Sequence, residues 1–214
     1  MAAKDPADLH AEFERALDGA VALATGVTGV PHLRRNKVYE GALLQCLVAW
    51  EALLEGCFIG FLCERPARSG SAVTSILDAG PLTRAGKQPD QRAFLLLRGD
   101  SSRNYLDWLD PDLIKDRSAL WFPDESRFAT ARGAFVHGNR NHLRDMIVVR
   151  NHIAHRSKKS EAAFDELRRA LHPLASERHG MGPGQFLSRG LAGGKTRLGE
   201  YVGSLRNAAD LLTA

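Results

Sequence analysis

Apolar residues recur along this chain at the three- and four-residue spacing of helices, not in the alternation of strands. Leu9, Phe13, Leu17 and Val21 set the period of a first helix over 7–24, and the run from Gly26 to Pro31 ends it. Leu43, Leu47, Trp50, Leu54, Cys57 and Phe61 form a stripe on a long second helix over 34–63, of the kind that faces a bundle core. Pro66 and Gly70 break the pattern. Ser71 to Asp78 then reads as one short helix and Gly80 to Gln91 as a polar loop. From Ala93 to Phe122 the signal is mixed, but Asp110-Pro111 supplies an N-cap and a proline at the first helical position, starting a short helix to Leu120. Further helices are expected over 125–136, 141–155, 160–171 with Ser160 as its cap, and 198–212. His137-Gly138-Asn139 reads as a turn and Gly180 to Gly194 as irregular. The expected fold class is all-α: a single domain over 1–214, a helical bundle with additional short helices and an unassigned insertion from Gly80 to Pro123.

Composition narrows the class. A chain of 214 residues buries a core without staples. The three cysteines, Cys46, Cys57 and Cys63, fall in one helix and form no disulfide framework. They read as small buried hydrophobes in a reducing compartment. The longest apolar stretch, Gly41 to Leu62, contains Glu51 and Glu55, so a buried amphipathic helix suits it better than a membrane span. No signal-peptide pattern opens the chain, and a cytoplasmic protein with no membrane partner is expected.

The formal charge of +4 is too modest to imply nucleic acid by itself. Its distribution says more. Between Arg140 and Lys159 stand Arg140, Arg144, Arg150, Arg156, Lys158 and Lys159, opposed by Asp145 alone. His142, His152 and His155 add charge when protonated. Two readings are open: a solvated basic helix end that complements the helix dipole, and a face that binds phosphates.

Within that segment, Arg150-Asn151-His152-Ile153-Ala154-His155 brings an arginine, an amide and a histidine into about one and a half helical turns. A histidine moves protons near neutral pH, an arginine holds phosphate through a planar fork of donors, and an asparagine can orient either. These are parts that can cut RNA without a metal. On a helical wheel Leu143, Met146, Ile147, Ile153 and Ala154 share one side, with Arg150 near its middle. Arg144, Asn151 and His155 share another, with Asn151 and His155 as i,i+4 neighbours. A charge on an apolar stripe needs a partner. Glu51, about 40° from Leu47 on the second helix, is the candidate; the alternative is a plain helix–helix ion pair. His152 with His155, and His137 and His142 nearby, could suggest a metal, but no cysteine or carboxylate cluster accompanies them. No metal and no cofactor are expected, and His152 reads as an RNA contact or an exposed residue. Gly193-Gly194-Lys195-Thr196 is similar to the end of a phosphate-binding loop, but Arg189 stands where the pattern needs glycine and no strand precedes it. The serine-nucleophile pattern Gly-x-Ser-x-Gly is absent.

Arg150-Asn151-x-x-x-His155 near the end of an apolar helix resembles the signature of the HEPN superfamily of all-helical domains, many of them metal-independent ribonucleases. The wider stretch MIVVRNHIAHRS and the carboxylate-bearing helix QCLVAWEALLEGCFIGF also look like this superfamily, its RiboL-PSP-type group in particular. The likeness is specific over two helices and only topological elsewhere. It implies a homodimer with a composite site between facing motif helices, and attack of an RNA 2′-hydroxyl on the adjacent phosphate. Products would carry 2′,3′-cyclic phosphate and 5′-hydroxyl ends. Arg150, Asn151 and His155 would be catalytic and Glu51 supporting, with Arg144, His152, Arg156, Lys158 and Lys159 binding RNA. It also implies a toxin–antitoxin or phage-defence setting with an antitoxin or defence-system partner. The rival readings are a non-catalytic helical module for RNA binding or dimerisation, a toxin whose histidine a partner enzyme modifies, and a chance match in an unrelated bundle.

Overall fold

The computed structural model describes residues 4–27, 29–75, 89–98, 107–122, 126–191 and 193–214. Its helices are α1 (Pro6–Thr25), α2 (His32–Leu62), α3 (Pro89–Arg98), α4 (Pro111–Trp121), α5 (Ser126–Gly133), α6 (His142–His155), α7 (Lys158–Leu171), α8 (Ala175–Arg178), α9 (Pro183–Ser188) and α10 (Arg197–Thr213). One small antiparallel sheet joins β1 (Val136–His137) to β2 (Arg140–Asn141). The class is all-α.

Several expectations change in detail. Ser71 to Ser75 is not helical, and the rest of that expected helix lies outside the described residues. Pro89 to Gln91, read as loop, opens α3. The helix expected over 125–136 stops at Gly133 and the chain turns into the hairpin, so the expectation of no strand gives way to a two-stranded ladder. Gly138, at φ 62°, supplies the left-handed backbone that such a short loop needs. Ser157, not Ser160, caps α7, and Ser160 sits at N3. The glycine-rich stretch contains α9.

The chain, read from sequence as one domain, groups into two compact units. The first comprises Met1–Arg15, Ala49–Ala134 and Arg206–Ala214. Its core is aromatic: the Phe58 ring lies 5.2 Å from Trp108, 5.0 Å from Phe122 and 5.0 Å from Phe128. All four rings are buried, and such offset or edge contacts add to the area they bury. Asp110 caps α4, accepting from the Asp112 amide at 2.9 Å with Pro111 at the first position. Arg206 reaches Glu14 at 2.8 Å, and the Arg68 amide donates to the Thr213 carbonyl at 2.8 Å, tying the end of the chain to this unit. Cys57 is buried and unpaired by disulfide, and burial pushes its thiol up to about 12. It behaves as a small hydrophobe.

The second unit comprises Ala16–Val48 and Phe135–Leu205. Leu17, Leu43, Leu47, Met146, Val149, Phe164, Phe186, Tyr201 and Leu205 are buried in it. Helix α2 passes through both units, and by length and composition it could cross a membrane. Just over half of its most apolar window is buried within the fold, at 56 %, which suits a core helix as well.

Helix α9 fits the second unit because Gly184 has no side chain. A Cβ there would lie 2.2 Å from the Asn36 carbonyl oxygen and 2.5 Å from its carbon. Backbone cannot yield as a flexible side chain can. Gly184→Ala should destabilise the protein by about 3 kcal/mol, through overpacking against main chain, as read from the urea midpoint. A change within about 0.5 kcal/mol would show that α9 can shift freely.

Candidate nucleic-acid interface

The Arg-Asn-x-x-x-His segment ends α6, and the chain reverses there within two residues. Arg156 closes the helix in the left-handed region (φ 44°, ψ 32°), its amide donating to the His152 carbonyl at 3.3 Å. Glycine is the usual residue at this position. Arginine there carries a steric cost of about 1–2 kcal/mol. Ser157 then caps α7: its hydroxyl accepts from the Ser160 amide at 3.2 Å, and the Ser160 hydroxyl accepts from the Ser157 amide at 3.0 Å. The result is a tight helical hairpin that sets the C-terminus of α6 beside the N-terminus of α7.

Packing fixes which faces meet. The buried side of α6 is His142, Leu143, Met146 and Val149. This stripe is rotated from the one read off the sequence. Ala154, expected on the apolar side, is exposed, and Val149 is core. Arg150, one turn from Met146, is half-buried at the edge of that stripe, and its Nη1 donates to Asn151 Oδ1 at 3.0 Å. Asn151 thus holds the arginine with its oxygen, leaving its amide nitrogen to point elsewhere. Glu51 is half-buried in the first unit, while Arg150 belongs to the second.

On the outer side, α6 and α7 enclose a trough. Val148, Asn151, His155, Ser157, Lys159, Ser160 and Ala163 line a cleft of about 270 Å³. It shares Val148 and Ala163 with a larger groove of about 720 Å³, which runs on past Arg144 to Arg140 and the hairpin. Asn141, Arg144, Val148, Asn151 and His155 follow one another at alternating spacings of three and four, a straight line along a helix. The polar face of Arg144, Asn151 and His155 expected from sequence is therefore one side of this trough. Ser157, Ser160 and Ala163 were not singled out beforehand. They lie on the next helix, and a serine-to-serine cap lacks the usual acidic partner at N3 that marks a capping box in sequence.

The segment's charges are partly spent. Arg140 Nη2 pairs with Asp145 at 2.6 Å. His142, counted as a source of positive charge, is 4 % exposed, and burial holds it below the ordinary histidine range, with His137 beside it acting the same way. His152 is half-buried, and its ring stacks on Phe164 with centroids 4.9 Å apart and planes 13° off parallel. Its Nδ1 is buried with no hydrogen-bond partner among the described residues. Exposed basic side chains do gather at the tip, where His155, Arg156, Lys158 and Lys159 surround the helix reversal. Lys158 and Lys159 lie in the first turn of α7, where the helix dipole disfavours cations by about 0.3–1 kcal/mol each. A bound anion would offset that. Among the described residues no group of three or more His, Cys, Asp or Glu could hold a metal.

Compared with protein-family models, curated proteins and solved structures, the chain finds no match.

Two substitutions separate packing from surface roles. Removing the stacked ring in His152→Ala should cost about 1–2 kcal/mol of stability, seen as a lower thermal midpoint. A surface residue would cost less than about 0.5 kcal/mol. Arg156→Gly should instead stabilise the fold by about 0.5–1 kcal/mol by relieving the left-handed strain, and a loss of stability would mean the arginine side chain holds the turn.

Proposed function

We propose that this protein is a metal-independent endoribonuclease, with His155 as the proton-transfer group of the cleft between α6 and α7. The observation that supports it best is the convergence of His155, Asn151 and Lys159 on one cleft of about 270 Å³, with Arg150 hydrogen-bonded to Asn151. The chemistry follows from these groups. An RNA 2′-oxygen attacks the neighbouring phosphorus, losing its proton to a base, while the 5′-oxygen leaves and takes up a proton. An exposed imidazole can serve at either step. Arg150 would stabilise the charge that builds on the phosphorane oxygens, and the free amide of Asn151 would bind one of them. Lys158, Lys159, Arg156 and Arg144 would hold flanking phosphates.

One imidazole cannot occupy both sides of the phosphate in a single step. A homodimer with two such tips facing each other would supply base and acid together, as the resemblance to HEPN domains implies. The Glu51–Arg150 pairing, a control by an antitoxin or defence-system partner and a cytoplasmic setting belong to the same proposal. A second reading is a non-catalytic RNA-binding module. Its support is that His155 has no hydrogen-bonded orienting group among the described residues, whereas a working general base commonly has one.

The test is incubation of the purified protein with total RNA and a matched all-deoxy oligonucleotide in EDTA, beside His155→Ala. RNA cleavage should persist in EDTA, spare the deoxy strand and fall by about a hundredfold or more in the variant. Loss of activity to the chelator, or cutting of the deoxy strand, would overturn the mechanism. RNA bound but uncut by a folded dimer would favour the binding module.

A further inference from the structure

We propose that the β1–β2 hairpin is a pH-sensitive clasp, closed when His137 and His142 are both neutral and released as the solution turns mildly acidic. This inference does not rest on the ribonuclease reading. It rests on an arrangement in which two histidines share one hydroxyl. The rings of His137 and His142 stack with centroids 4.1 Å apart and planes 18° off parallel. His142 Nδ1 lies 2.7 Å from Ser204 Oγ on α10, and His137 Nε2 lies 3.1 Å from the same atom. The Ser204 hydroxyl also donates to the Glu200 carbonyl at 3.4 Å. A hydroxyl has one proton and two lone pairs, so while it donates to Glu200 it can bridge two neutral rings by accepting an N–H from each.

His137 is exposed, and it is the surroundings of His142 that favour a neutral ring. His142 is 4 % exposed and meets the Tyr201 ring edge-on at 5.4 Å. The Tyr201 hydroxyl is buried with no hydrogen-bond partner among the described residues. Of the two carboxylates that would favour a charge on His142, Asp145 is paired with Arg140 at 2.6 Å and Glu200 with Arg197 at 2.5 Å. Arg197 itself opposes a charge there. Burial is the largest influence on His142 and lowers its pKa, and a charge on His137 lowers it further. Two protonated rings 4.1 Å apart would repel.

The sign follows from linkage. A histidine held below its free value of about 6.5 binds its proton more readily once released, so the open form gains protons as the pH falls below that value. The open-to-closed ratio should rise by up to about tenfold per pH unit through His142, until the closed form itself protonates. The consequence is local. Val136, Gly138, Asn139, Arg140 and Asn141 form a wall of the 720 Å³ groove, and Asn141 Oδ1 caps α6 by accepting from the Arg144 amide at 3.2 Å. Opening the clasp removes that wall and frays the first turn of α6. The His155 end, built around the separate cap at Ser157, should stay closed.

The experiment is hydrogen exchange on the full chain at about pH 7.5 and about pH 5.5, corrected for the intrinsic pH dependence, with NMR titration of the histidine rings. The His142 amide, which donates to the Phe135 carbonyl, reports the clasp; amides in the middle of α7 are the control. Protection at the clasp should fall by up to about tenfold at the lower pH while α7 is unchanged, and His137→Phe, which keeps a stacked ring without its charge, should reduce the fall. Equal protection at both pH values, or a His142 ring that titrates at about 6.5 or above with the clasp still protected, would overturn the proposal. If His137→Phe disturbs the fold, the wild-type exchange and titration decide alone.

Discussion

The reversal at Arg156-Ser157 is the constraint on which the second unit's site depends. A left-handed residue stops α6 immediately after His155, and a serine cap starts α7 one residue later. With no slack between them, the two helices must lie side by side. Val148 and Ala163 then share the wall between the cleft and the groove, and Lys159 comes to the same cleft as Asn151 and His155. A longer linker would leave the same residues on helices free to separate. The strain accepted at Arg156 is of the kind stored where a geometry is over-determined by its surroundings.

Three histidines of one helix illustrate how position sorts identical chemistry. His142 is buried against His137, Tyr201 and Ser204, where neutrality is favoured. His152 is a flat packing surface for Phe164. His155 stands exposed at the helix end, beside exposed lysines and a helix N-terminus. Of the three, only the last is fully exposed to solvent. The apparent wealth of positive charge in the segment shrinks accordingly, and what remains is concentrated at the tip.

The parts legible in the sequence are those governed by local rules. Helical periodicity marks the long helices, and Asp110-Pro111 marks the start of α4 because capping chemistry acts within three residues. The i,i+4 relation of Asn151 and His155 is intrinsic to a helix and reappears as a shared cleft. The rest needed partners distant in the chain. His142 reads as a charge until Ser204, sixty-two positions on, is seen to bond it. The hairpin escapes a periodicity argument because each strand has only two residues. The rotation of α6's buried face reflects the position of Phe164 and Phe186, which the α6 sequence alone does not encode.

In the proposed mechanism the RNA's own 2′-hydroxyl is the nucleophile and His155 moves its proton. The most direct measurement uses an RNA oligonucleotide with a single 2′-deoxy residue at a mapped cleavage position, treated with wild-type protein in EDTA and read by mass spectrometry. This one linkage should resist while neighbouring sites are cut to 2′,3′-cyclic phosphate and 5′-hydroxyl ends. Cleavage at the deoxy position, leaving a 3′-hydroxyl and a 5′-phosphate, would contradict it.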